Sequence, residues 1–195
     1  MSVIPQIALQ VFRESVRDKV FYNLVLFAVL LIAASYLIGQ LTAGQEVKII
    51  KDLGLGATQV FGLFIAVFIG IGLVSKEVER RSIYSLLAKP VRRHELILGK
   101  YAGLVLTLAV NIVVMAVALY AVLGYMSWVE TEEFRQSWEA PATDPAMLLA
   151  IFLIFAQLML VTAIALFFST FSSQILSAVL TFGLFVVGHF NADLK

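Results

Sequence analysis

Long stretches of apolar residues, uncharged over most of their length, dominate this sequence of 195 residues. Hydrophobic residues make up 61% of the chain and charged residues 14%, whereas soluble domains average about 45–50% apolar and about 25% charged residues. One soluble core of this size has no room for that excess, but a helix bundle in lipid exposes apolar side chains on its outside as well. The sequence therefore predicts an integral membrane protein.

Five of these stretches reach or approach the about 20 residues that a helix needs to cross a hydrocarbon core of about 30 Å. The predicted spans lie at residues 21–40, 53–74, 99–126, 146–168 and 174–190. Helices are expected because an open strand edge leaves backbone groups without hydrogen bonds in lipid. The predicted fold class is all-α, a polytopic membrane helix bundle that forms a single transmembrane domain over residues 1–195.

The distribution of Lys and Arg predicts the orientation of the bundle, because cytoplasmic loops carry an excess of them. With five spans, ten of the fourteen Lys and Arg residues fall on the side of the amino terminus and four on the other side. This bias places the amino terminus and residues 75–98 in the cytoplasm. Five spans put the carboxyl terminus outside, directly after the last helix, so we expect a fragment or a chain that continues into a further helix.

An amphipathic pattern covers residues 1–20. Polar residues fill one arc of the helical wheel, and apolar residues recur every three or four positions on the other. The apolar positions are Ile4, Ile7, Ala8, Val11, Phe12, Val16 and Val20. This pattern is typical of a helix that lies in the membrane interface. A plain cytoplasmic extension of the first span is the alternative.

The connection at residues 75–98 is the only long segment predicted on the cytoplasmic side, and it has the highest density of charge. Behind a charged front, Ile83, Leu86 and Leu87 share one helical face because they are three and four residues apart. Pro90 then ends that helix, since it has no N–H to donate and its ring clashes with the preceding turn. A short amphipathic helix between two spans suits contact with a soluble partner. Solvated residues that only obey the positive-inside rule are the alternative.

Two polar residues lie near the middle of predicted spans, Asn111 in the third and Gln157 in the fourth. Polar side chains at this depth usually face the bundle interior or a cavity. The pair therefore either lines a translocation path or makes an interhelical polar contact, and the second use is the more common one. Gly62, Ala66 and Gly70 form a ladder of small residues at four-residue spacing, which predicts a close helix–helix contact, within the chain or in a dimer.

Several functions are disfavoured because their residues are missing. The sequence has no cysteine and therefore no thiolate metal site, and it contains neither the GxxxxGK[ST] phosphate loop nor an HExxH or GxSxG motif. We therefore predict no catalytic, cofactor-binding or metal-binding residue and no enzyme activity of the chain by itself. No span has an acidic residue or arginine at its middle, which argues against an ion-driven carrier. The nearly balanced charge argues against nucleic-acid binding.

Two segments resemble the membrane subunit, or permease, of ABC-2 type ABC transporters. Residues 11–20, VFRESVRDKV, resemble the amphipathic helix that precedes the first span of these permeases. Residues 76–83, KEVERRSI, and 86–93, LLAKPVRR, resemble their cytoplasmic coupling element, with LGK following at 98–100. The sequence departs from the family at Ser82-Ile83, where a Gly-Thr pair is common. Six spans are usual in the family, so the resemblance implies that the last transmembrane helix is missing here.

The resemblance implies a permease that moves an unknown substrate when a separate ATPase subunit, which would hold ATP and magnesium, drives it. It also implies a homodimer or heterodimer of permease subunits in the bacterial inner (plasma) membrane, in contact with membrane lipid. The residues that would contact the ATPase are Glu77, Glu79, Arg80, Arg81, Ser82, Ile83, Leu86, Leu87 and Pro90. A non-transporting membrane anchor or assembly factor that recruits a soluble partner is the alternative.

Overall fold

The computed structural model describes residues 3–41, 45–79, 93–129, 142 and 144–193. Every regular element among these residues is an α-helix. The helices are α1 (Val3–Val16), α2 (Lys19–Gln40), α3 (Glu46–Glu79), α4 (Arg93–Val129), α5 (Ala146–Ser169) and α6 (Gln174–Asp193). The predicted all-α polytopic class is confirmed.

The helices α2, α3, α4 and α5 are long and apolar enough to cross a membrane. The apolar part of α6, Gln174–His189, is shorter, and at a rise of 1.5 Å per residue it extends over about 24 Å. By contrast, α3 has 34 residues and α4 has 37, so they are about 51 and about 55 Å long. Both helices therefore continue beyond a hydrocarbon core of about 30 Å, and both begin several residues before the predicted spans.

A two-residue break at Arg17 and Asp18 separates α1 from α2. Asp18, the N-cap of α2, has an extended backbone (φ −74°, ψ 130°), and its carboxylate accepts a hydrogen bond of 3.0 Å from the backbone N–H of Val20. This cap satisfies one of the amide groups that a helix start leaves without a partner. The amphipathic segment is thus a separate helix and not a direct continuation of the first span.

α3 is the central helix of the bundle, with α2, α4, α5 and α6 packed around it. It runs antiparallel to α4, because Leu119 of α4 lies over Gly54 and Leu104 faces Gly70. It runs parallel to α5, because Leu158 of α5 lies over Gly62 and Ala165 lies beside Gly70. Accordingly, the buried core draws more of its residues from α3 than from any other helix.

The ladder of small residues on α3 lies inside the chain. Gly62, Ala66 and Gly70 are all buried, with α5 against Gly62 and both α4 and α5 beside Gly70. Small residues let helix backbones approach closely, and this is what holds helices together in lipid. The predicted close contact is therefore made between helices of one chain.

A second contact at small residues joins α1 to α4, the helix against which α1 packs most extensively. A Cβ atom on Gly99 would lie 2.8 Å from the Cβ of Ile7. One on Gly103 would lie 2.6 Å from the carbonyl oxygen of Ala8 and 2.7 Å from the Cβ of Val11. Gly99 and Gly103 are four residues apart and form a Gly-x-x-x-Gly surface on which α1 rests.

Gly103→Ala is expected to detach or shift α1, because its methyl group would meet backbone and Cβ atoms that no rotamer change can move. Overpacking of this kind costs about 1–3 kcal/mol. The matched control is Gly124→Ala on the same helix, where an added Cβ meets nothing within 4 Å. Thermal unfolding in detergent should show a lower midpoint for Gly103→Ala alone. Equal midpoints for the two variants would contradict the contact.

Candidate functional site

The predicted coupling segment connects α3 to α4 at one end of the bundle. Because the two helices are antiparallel neighbours, the last turn of α3 and the first turn of α4 emerge on the same side. Glu77 and Glu79 belong to that last turn of α3. The other predicted ATPase-contact residues lie outside the described residues: Arg80, Arg81, Ser82, Ile83, Leu86, Leu87 and Pro90. Their role therefore stays a prediction.

Helix α1 lies at the same end of the bundle, because its contact at Gly99 is within two turns of the start of α4. The side of α1 that faces the bundle is apolar, with Val11 6% exposed. Ser15 is also buried there, and its hydroxyl donates to the Val11 carbonyl at 2.8 Å. The polar residues Arg13, Glu14 and Arg17 are exposed on the other side. The amphipathic helix thus lies at the end of the bundle where α3 ends and α4 begins.

The two polar residues predicted inside the spans do not contact each other by a hydrogen bond. The Oε1 atom of Gln157 accepts instead from the Nε2 atom of Gln59 on α3, over 3.4 Å. This bond joins α3 to α5, and both side chains are partly buried. Gln157 therefore makes an interhelical polar contact with a residue that the sequence analysis did not single out.

Asn111 is completely buried, at 0% exposure. Neither Oδ1 nor Nδ2 of its side chain has a hydrogen-bond partner among the described residues. A buried polar group without a partner is costly, by about 1–3 kcal/mol in proteins generally. The residues one turn away from Asn111 on α4 are Thr107 and Met115, and both are buried. The Thr107 hydroxyl donates its proton to the Gly103 carbonyl at 2.9 Å and so does not donate it to Asn111.

The buried hydroxyl groups of the spans are mostly satisfied within their own helices. Thr58, Thr162 and Thr181 each donate to the carbonyl four residues earlier, over 2.7–2.8 Å. Such bonds let threonine sit in an apolar helix without an interhelical partner. The threonines therefore differ from Asn111, whose amide has no such hydrogen bond within its own helix.

Two contacts were missed in the sequence although a signal for each is present. Gln59 is a polar residue six positions inside the second predicted span, so the same rule that selected Gln157 applies to it. Gly99 and Gly103 have the small-xxx-small spacing that marks close helix contacts. The sequence alone shows the polarity of Gln59 and the spacing of Gly99 and Gly103. Which helix each of these residues faces depends on how the helices pack.

Asn111→Leu is expected to raise the stability of the bundle, since a side chain of similar size without polar atoms removes the cost of an unpaired buried amide, about 1–3 kcal/mol. The matched change Gln157→Leu removes a formed interhelical bond and is expected to lower stability by about 0.6 kcal/mol, the average for such bonds in membrane proteins. Unfolding of the purified variants in mixed micelles with increasing denaturing detergent measures both effects. A loss of stability in Asn111→Leu would show that the amide is paired in the membrane.

The chain also matches a known protein family. A family model described as "ABC-2 family transporter protein" matches residues 6–193. The match covers α1 from residue 6 onward, the whole of the predicted coupling segment and all the apolar helices. No curated protein matches the chain.

Proposed function

This chain belongs to the ABC-2 family of transporter proteins, and from this membership we propose that it is a permease subunit driven by a separate ATPase subunit. The family assignment confirms the resemblance found in the sequence and makes the chain a membrane component of a transport system. The single observation that carries the proposal is the extent of the match, residues 6–193, because it includes both the transmembrane helices and the segment that connects α3 to α4. The substrate is not part of the proposal.

In the proposed complex the ATPase docks on residues 75–98, at the end of the bundle where α1 lies and where α3 connects to α4. The long helices α3 and α4 support this position, since both continue past the membrane-length apolar runs. A displacement of the segment between them would act directly on α3, the central helix of the bundle. Closure of the ATPase subunits on ATP would in this way change the packing of the spans.

The contact of α1 with Gly99 and Gly103 supports a second way in which closure of the ATPase subunits would act on the bundle, through α4 and α1. Because α1 is pressed against α4 at backbone distance, a shift of the α4 amino terminus must carry α1 with it or break the contact. Well-packed contacts of this kind switch between discrete arrangements and do not deform gradually. In the proposal α1 therefore moves with α4 as one unit.

The proposed transport route uses the polar side chains at mid-depth. Asn111 lacks a partner in the described arrangement, so a rearrangement that exposes it to a substrate or to water removes an energetic cost. Gln157, held by Gln59, contributes polarity on a neighbouring helix. We infer that the permease acts as a homodimer or heterodimer in a bacterial inner membrane with its amino terminus in the cytoplasm, as the distribution of Lys and Arg favours.

Replacing Arg80 and Arg81 by Ala together is expected to weaken binding of the ATPase subunit at least about tenfold. Removing one charge from a buried interfacial pair costs about 2–5 kcal/mol, and about 1.4 kcal/mol corresponds to tenfold. Glu77→Gln should leave the complex assembled but reduce the coupling of ATP hydrolysis to transport. The measurements are co-purification of the full-length protein with the ATPase and the ATPase rate in vesicles.

The matched control is Lys48→Gln. Lys48 is an exposed cation near the amino terminus of α3, at the opposite end of the bundle, and its replacement should change neither binding nor coupling. Absence of any ATPase subunit from the purified full-length protein would count against the proposal. Stable ATPase binding without ATP-dependent movement of any compound would instead favour a membrane anchor that recruits a soluble partner.

A further inference from the structure

A groove of about 400 Å³ lies between the amino-terminal part of α4 and the carboxyl-terminal end of α5. Most of its walls are apolar, with Ile97 of α4 and Phe167 of α5 among them. Lys100 and Thr170 also line it. Its size falls in the range of about 300–1,000 Å³ typical of ligand sites, as does the combination of apolar walls with a few polar groups.

The groove lies at the depth where the apolar runs end. Its residues on α4 surround position 99, the first of the predicted third span, and its residues on α5 reach Thr170, just beyond the fourth. This is the level at which hydrocarbon gives way to phosphate-bearing headgroups. Lys100 is partly buried, and a lysine near a helix end can lay its carbon chain along apolar surface while its ammonium reaches the headgroups.

The hydroxyl groups of the groove are engaged within the chain. The Tyr101 hydroxyl donates to the Met159 carbonyl at 3.3 Å, and the Thr170 hydroxyl donates to the Phe167 carbonyl at 2.7 Å. Lys100 supplies the positive charge of the groove. It also interacts within the chain, and an ammonium group with three protons can donate to more than one acceptor. Ahead of the groove, the first turn of α4 contains the acidic residue Glu95 and the basic residues Arg93 and His94.

We propose that this groove binds an anionic phospholipid, with an acyl chain between α4 and α5 and the phosphate on the Lys100 ammonium. Charge complementarity identifies the occupant, because a cation at the headgroup level above apolar walls fits a lipid that is negatively charged and has long chains. Pockets of this kind between transmembrane helices hold anionic headgroups. Ile97 and Phe167 are 52% and 63% exposed, so the groove is open to the surrounding lipid.

A second groove between the same two helices provides an internal comparison. It has a volume of about 240 Å³, and all its lining residues are apolar. They are Ala109, Ile112, Val113, Leu148, Ile151, Phe152 and Phe155. Without a charged residue, this second groove should accept acyl chains regardless of the headgroup. The two grooves therefore separate headgroup recognition from simple contact with lipid tails.

The test uses the full chain in nanodiscs that contain phosphatidylglycerol and phosphatidylcholine in equal amounts. After extraction into mild detergent, native mass spectrometry counts the retained lipids of each kind. The unmodified protein should retain phosphatidylglycerol in preference. Lys100→Gln should lower this preference about fivefold, the effect of one lysine near anionic lipid, and Lys100→Arg should keep it because the charge remains.

Filling either groove provides the second half of the test. Ala163 lines the first groove, so Ala163→Phe should reduce retention of phosphatidylglycerol, whereas Ala109→Phe in the second groove should leave the preference intact. Lys48→Gln is the control for a general effect of charge. Equal retention of the two lipids by the unmodified protein would overturn the proposal. An equal loss of preference in Lys48→Gln and Lys100→Gln would overturn it too. If Lys100→Gln fails to fold, the comparison of Ala163→Phe with Ala109→Phe decides.

Discussion

The bundle depends on how closely its helices can approach one another in lipid. Burial of apolar surface does not distinguish a neighbouring helix from a lipid tail, so association rests on packing and on interhelical hydrogen bonds. The glycines of α3 and α4 provide this packing: Leu119 lies over Gly54, Leu158 over Gly62, and α1 over Gly99 and Gly103. Each contact brings a different helix against α3 or α4. These two helices therefore organise the fold, and the segment predicted to receive the ATPase is the one that connects them.

α4 joins several features that would otherwise be unrelated. Its first turns carry the surface for α1 and the groove at Lys100, and its middle carries the unpaired amide of Asn111. From Gly99 to Asn111 is twelve residues, about 18 Å along a helix. A rigid helix transmits a displacement over this distance, so in the proposed mechanism a push at the end of α4 would reach Asn111, the residue in its middle that the described contacts leave unsatisfied.

Much of the fold was predictable from the sequence because lipid permits few structures. Continuous apolar runs predicted helices that cross the membrane, and the spacing in residues 1–20 favoured a separate amphipathic helix over an extension of the first span. The ends of the helices were less predictable, since α3 begins at Glu46 and α4 at Arg93, among charged residues that belong to helix outside the hydrocarbon core. The partner of Gln157 was not predictable either. The rule that polar residues face inward selects candidates, but crossing angles decide that Gln59, and not Asn111, comes within 3.4 Å.

The contrast between Gln157 and Asn111 bears on how a polar residue in a membrane helix is to be interpreted. Gln157 has a partner on α3, so an interhelical polar contact accounts for its position in the described arrangement. Asn111 has a fully buried amide whose two polar atoms find no partner among the described residues, and a buried amide left unpaired costs stability. A residue that costs stability in one arrangement biases the bundle towards another in which the amide finds a partner. In a protein whose family moves compounds across membranes, such a bias favours switching, and Asn111 is therefore the stronger candidate for a role in the transport cycle.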